Sequence, residues 1–188
     1  MHGRLLLTGI RGSGPGDALF EADLDACARA GVGGVILFDV DLPSLRDDPA
    51  DAPRNVVSAE QLRGLIVAVR ERLGPDAWIA VDQEGGRVAR LNPRRGFPGD
   101  PSAADFAALD PPERVRAARA MADRLADFGF DLNFAPCVDL DLNPDNPIIG
   151  SLERSFGRDV STVVDAATTV LDAHAAAGVA ACLKHFPG

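Results

Sequence analysis

The chain has 188 residues, 46% of them hydrophobic and 25% charged, an ordinary globular composition with enough length for one sizeable core. Its formal charge of −9 argues against a phosphate backbone or an anionic membrane surface as partner. No apolar run approaches the roughly 18 residues of a membrane span, and the stretch from Leu5 to Ile10 before Arg11 is too short for a signal-peptide core, so a cytoplasmic protein is expected if Met1 is the natural start.

Taken in chain order, a first apolar run covers 4–10, and "GIRGSGPGD" (9–17) follows it. Its glycines do not fit the G-x-G-x-x-G turn of a dinucleotide-binding fold. A helix from about Asp17 to Ala30 stops at Gly31, and "GGVILF" (33–38) reads as a buried strand. The Asp- and Pro-rich segment 39–57 reads as a loop with a solvated acidic insertion. Ser58-Ala59-Glu60-Gln61 is a capping box, Leu62, Leu65, Ile66 and Val69 follow at helical spacing, and Gly74 closes the helix. "AWIAVD" (77–82) is the third strand. Asp110-Pro111-Pro112-Glu113 opens a helix that carries Val115, Ala118, Met121 and Leu125 on one face and ends at Gly129. "DLNFAPCVDL" (131–140) and "GVAACLKH" (178–185) are the fourth and fifth strands, with a loop over 141–158 and a helix from Asp159 to Gly178 between them. The order β-α-β-α-β-α-β-α-β predicts a parallel sheet flanked by helices. Polar residues gather at strand ends, at Asp82, at Asp139 and Asp141, and at Lys184-His185, as in a (β/α)8 TIM-type barrel. Five strands and four helices would be only the first part of such a barrel, in a single domain over 1–188.

"VDQEGGRVARL" (81–91) is the stretch richest in chemistry. A carboxylate that accepts and a guanidinium that donates, on one loop, suit a ligand rich in hydroxyls. The structural alternative is an ion pair inside the loop. Glu84 has the side chain of a general acid or base. Lys184 is the single Lys among 19 basic residues, which argues for a place that needs a compact ammonium rather than a planar fork. Next to it, His185 gains interest as a ligand donor. Arg154 lies in a turn-rich loop, where the plain alternative is a surface charge. His174, late in its helix, reads as surface or packing, favoured by the helix dipole. Cys27, Cys137 and Cys182 are scattered, without CxxC, and read as free thiols. No cluster has metal-ligand spacing in sequence, and no cofactor motif is present.

"VDQEGGRVARL", "FGFDLNFAPCVDLDLNPDNPIIGSLERSFGRD" and "KHFPG", in this order and at these intervals, resemble the N-terminal catalytic barrel of glycoside hydrolase family 3, in particular its bacterial N-acetyl-β-hexosaminidase branch. The resemblance implies a retaining hydrolase that removes terminal β-linked N-acetylglucosamine, with a peptidoglycan- or chitin-derived substrate, a role in cell-wall recycling and no cofactor. Carried over motif by motif, it makes Asp82, Arg90, Arg154, Lys184 and His185 substrate-binding residues, with Glu84 and Arg87 shaping the loop. It implies an acid/base His paired with an Asp just after "KHFPG", and a nucleophilic Asp on a later strand, both beyond Gly188. On that expectation the chain holds the sugar-binding half of the site, no catalytic residue, and is inactive and aggregation-prone alone, since an open half barrel exposes sheet edges. A β-glucosidase or β-xylosidase of the same family is the alternative within the enzyme class. A non-catalytic sugar-binding half barrel is the alternative outside it, and a barrel acting on phosphorylated substrates lacks its phosphate loop.

Overall fold

A computed structural model describes residues 3–41 and 52–186. The chain forms two compact units, one of residues up to Val81 with Arg90–Pro98, the other of Asp82–Ala89 with Gly99 onward.

In the first unit, strands β1 (Leu7–Gly9), β2 (Gly34–Leu37) and β3 (Trp78–Val81) pair in parallel, Thr8 opposite Val35 and Val35 opposite Ile79. Val35, Leu37, Ile79, Ala80 and Val81 are all buried, the near-continuous burial of parallel strands covered on both faces. Helix α1 (Ala18–Ala30) starts at Asp17, whose carboxylate accepts from the Leu19 and Phe20 amides, and stops at Gly31 in the left-handed conformation. Helix α2 (Ala59–Leu73) starts at the capping box read from the sequence, and buries Leu62, Leu65, Ile66 and Val69. Asn55 is fully buried and substitutes for strand pairing beyond β2. Its side chain accepts from the Phe38 amide and donates to the carbonyls of Ile10 and Gly12. Residues 42–51, which carry most of the expected acidic insertion, lie outside the described residues.

The second unit opens with an antiparallel hairpin, β4 (Gln83–Gly85) and β5 (Val88–Ala89), where the sequence predicts a loop. Its Gly85-Gly86 turn is needed for more than flexibility. A Cβ on Gly85 would lie 2.1 Å from the Pro101 carbonyl oxygen, and one on Gly86 would lie 2.8 Å from the Ser102 Cβ. The short helix α3 (Ala103–Ala108), capped by Ser102, was also not expected. Helix α4 (Pro111–Phe128) begins at Asp110 with Pro in its first turn, where the missing N–H is harmless. Helix α5 (Val160–Ala177) begins at Asp159, and both end at left-handed glycines, Gly129 and Gly178. These helices pack through small side chains, Ala118 and Ala122 on α4 and Val163, Ala166, Ala167 and Val170 on α5, around the Phe106–Phe156 ring pair at 5.7 Å.

Strands β6 (Leu132–Asn133) and β7 (Ala180–Ala181) pair in parallel and are shorter than expected. Pro136 has no N–H to give a ladder, and pairing resumes only at an isolated bridge between Cys137 and Lys184. The α/β class with parallel strands in β-α alternation is as expected, with one helix and one hairpin more. No helix among the described residues is long and apolar enough to cross a membrane.

Candidate functional site

The site is built in the second unit from three segments: Asp82 and the start of β4, the residues after β6, and those after β7. In an extended backbone, side chains two apart share a face. Asp82 and Glu84 therefore point one way and Gln83 the other. Lys184 closes over the pair, its Nζ 2.8 Å from Asp82 Oδ1 and 2.5 Å from Glu84 Oε1. Arg154 grips Glu84 with two parallel bonds, Nε to Oε2 and the terminal nitrogen to Oε1, both 2.8 Å. Such bidentate, charge-assisted bonds are the strong and geometrically selective ones. Bonding to Glu84, working against burial, raises the Arg154 pKa above its ordinary value. With the Glu84 side chain only 3% exposed and both oxygens held by cations, its part is to place Arg154 and Lys184.

Arg154 is itself oriented from behind. It donates to the Ile148 carbonyl, and the residue before it, Glu153, holds a left-handed φ of 55°, an uncommon conformation for a side chain with Cβ. A terminal nitrogen of Arg154 lies 3.2 Å from His185 Nε2. A guanidinium only donates, so Nε2 accepts and the ring proton sits on Nδ1, which donates to Asp139 Oδ2 at 2.5 Å. Burial works to raise the Asp139 pKa, but the bonds from His185 and Cys137 outweigh it and leave it below the ordinary carboxylate value. His185, with 45% of its side chain exposed, is the open side of the cluster. An open pocket of about 610 Å³ adjoins it, walled by Leu140, Leu142, Ile148 and Ile149.

Cys137, Asp139 and His185 offer donor atoms all within 4.8 Å of one another, the one set among the described residues with the spacing of a metal site. The hydrogen bonds argue for another use. A metal on Nδ1 would move the ring proton to Nε2, against the N–H of Arg154. Burial pushes the Cys137 thiol up to about 12, so it stays protonated and donates to Asp139. Asp139, backed by Cys137, and Arg154 fix the His185 ring instead.

Four of the five residues singled out from sequence, Asp82, Arg154, Lys184 and His185, meet in this cluster. Arg90 belongs to the first unit, where it lies 3.6 Å from Asp39 and over the Phe38 ring. Arg87 is exposed at the hairpin tip. Two members were underrated. Glu84, assigned to the loop's shape, is the hub, and its i, i+2 spacing from Asp82 was the available signal. Asp139, noted only as a strand-end carboxylate, orients His185. His174 is fully buried, which fits the packing alternative and not the surface one. Cys27 and Cys137 are buried free thiols and Cys182 is a half-buried one.

An α/β chain with parallel strands and a carboxylate–guanidinium–ammonium cluster at their ends has the design of a barrel enzyme's ligand site. Residues 20–188 match the family described as glycosyl hydrolase family 3 N terminal domain. The chain is 36% identical over 178 residues to a beta-hexosaminidase of Haemophilus influenzae, covering 92% of this chain and 45% of that protein. It is 40% identical over 136 residues to a beta-hexosaminidase of Glaesserella parasuis, covering 72% of this chain and 38% of that one. Among solved structures, a beta-N-acetylhexosaminidase from Beutenbergia cavernae superposes with a TM-score of 0.79 at 29% identity, over 99% of this chain and 52% of its own. NagZ from Neisseria gonorrhoeae, in complex with N-trifluoroacetyl-D-glucosamine, gives 0.77 at 29% identity, over 97% and 50%. The chain belongs to glycoside hydrolase family 3, and its fold is the first part of that family's TIM-type barrel. It spans less than half the length of these two curated relatives.

Proposed function

We propose that this chain is the sugar-holding part of a retaining β-N-acetylhexosaminidase, an O-glycosyl hydrolase that removes terminal β-linked N-acetylglucosamine. The observation that carries the reading is the Asp82–Glu84–Lys184–Arg154–His185 cluster. It presents fixed donors and acceptors whose charges nearly cancel, as a neutral polyhydroxyl ligand requires. Kinship with beta-hexosaminidases, and a related structure holding an N-acylated glucosamine analogue, favour an acetamido sugar over glucose or xylose. Asp82 accepts from sugar hydroxyls, Lys184 and Arg154 donate to them, and Arg90 is proposed to complete the grip. Retaining hydrolysis also needs a nucleophile and an acid/base. Both are proposed to lie in sequence beyond residue 188, in the part of the relatives' length that this chain does not span. Recycling of cell-wall fragments is the proposed setting, on the strength of the sequence resemblance.

The test compares aryl β-N-acetylglucosaminide, β-glucoside and β-xyloside as substrates of the protein carrying this chain, with N-acetylglucosamine binding measured in parallel by calorimetry. Turnover confined to the acetamido sugar supports the reading. Preference for the glucoside or xyloside replaces it with the family alternative. Sugar binding by the full-length protein without turnover would favour the non-catalytic sugar-binding protein instead.

A further inference from the structure

Gln83 lies between the two site carboxylates, and its own side chain points away from them into the protein, where it is fully buried. Three groups hold it. Asn133 on β6 clamps its backbone from both ends, accepting from the Gln83 N–H at 2.9 Å and donating to the Gln83 carbonyl at 3.0 Å. Asp100, itself gripped bidentately by Arg124, accepts from the Gln83 side-chain amide at 2.7 Å. The third group stands one step back. His174 on α5, fully buried, lies with Nε2 3.0 Å from the Asn133 amide nitrogen and Nδ1 2.9 Å from the Val170 carbonyl. A carbonyl only accepts, so the proton is on Nδ1 and Nε2 accepts from Asn133. The Asn133 orientation follows independently, since the Gln83 N–H demands an oxygen opposite it. Every proton in the chain from Val170 to Gln83 is thereby assigned, with no two donors facing each other.

We propose that His174 is a positioning residue for the sugar site: by holding the Asn133 amide it fixes the Gln83 backbone, and so aims Asp82 and Glu84 at Lys184 and Arg154. The helix α5 imidazole thus reaches the site through a single asparagine, without touching a ligand. A packing role alone would be filled by any apolar side chain of similar size. A positioning role requires an acceptor at the place of Nε2, which Gln supplies and Leu does not. In His174→Leu the buried Asn133 donor loses its partner, a loss that carries about a tenfold effect on an equilibrium it supports.

The role of the aimed cluster rests on the sugar-binding reading, so the experiment has two arms. In the first, the full-length protein labelled with ¹⁵N is followed by NMR. His174 is expected to keep the Nδ1–H tautomer with a bare, hydrogen-bonded Nε2, and the Gln83 amide to exchange about tenfold faster in His174→Leu but not in His174→Gln. In the second, N-acetylglucosamine affinity is expected to fall about tenfold in His174→Leu and to return in His174→Gln. Unfolding of each variant is measured alongside. A proton on Nε2 in the wild type overturns the proposal even where His174→Leu fails to fold. So does Gln83 exchange that is equal in both variants. Absence of sugar binding in the wild type sinks the functional reading instead, and leaves the exchange arm to decide the positioning.

Discussion

Each unit buries a carboxylate beside arginines, and the two are held in opposite styles. In the first, Asp39 accepts from the Asn92 amide at 2.9 Å, and Arg90 stands off at 3.6 Å. Arg90 and Arg54 lie over the Phe38 ring, at 5.6 and 4.9 Å from its centre. Positive charge there rests on a π face as well as on the carboxylate. In the second, Glu84 is compressed between Arg154 and Lys184, with no aromatic ring among those contacts. Neutral amides and rings tolerate loss of the central charge. Two converging cations do not, because Arg154 is left buried with its counter-charge gone and Lys184 keeps only Asp82.

Glu84→Gln is the strongest way to break the comparison. It removes the shared partner of two largely buried cations and is expected to destabilise the protein by about 3–5 kcal/mol, read as a lower urea midpoint. A loss under about 1 kcal/mol would place Glu84 with ordinary surface pairs. Asp39→Asn keeps an acceptor for Asn92 and is expected to lose about 1–2 kcal/mol in the same assay. Equal losses in the two variants would mean that both carboxylates are held alike. Arg54→Lys sharpens the aromatic half: it leaves a charge near Asp41 and Phe38 but removes the Nε donor to the Ile10 carbonyl, for an expected loss of about 1 kcal/mol.

The gentlest handle is pH. Burial lowers the His174 pKa from its ordinary 6.5, against a smaller upward pull from the Val170 carbonyl. The folded form therefore resists a proton that the unfolded chain takes up. Stability is expected to be flat with respect to His174 above pH 6.5 and to fall as pH drops below it. Asp139, with its lowered pKa, gives way only nearer its ordinary 3.8, so the two contributions separate along the acid limb. His174→Gln should flatten the upper part of that limb in a pH series of urea unfolding curves, and an unchanged slope would assign it to another group.

Much of this was legible in the chain. All four expected helices carry their caps in plain sequence: Asp17, Ser58, Asp110 and Asp159 before them, a glycine after each. Those signals are local, and local rules read them. The lone Lys184 and its neighbour His185 were also visible, because a rare residue type at a strand end needs no partner to be noticed. What was hidden depends on distant chain. The Gly85-Gly86 turn becomes a hairpin because segment 101–102 packs against it, and nothing in residues 81–91 announces that. His174 looked like a helix-end histidine until Asn133, 41 residues away, was found opposite its ring. Glu84 was misjudged for the same reason, since its role lies in Arg154, 70 residues on.

The bridging ammonium of Lys184 has one more consequence. With each cation in the cluster already matched by a carboxylate at contact distance, and Asp139 held by a neutral imidazole and a thiol, no net positive field reaches out into solvent. A ligand is then not drawn in from afar but recognised only on arrival. Its capture rate should be nearly indifferent to ionic strength, and the site should gain no advantage from an anionic group on the approaching molecule. The arrangement favours uncharged carbohydrate by silence at long range as much as by contact at short range.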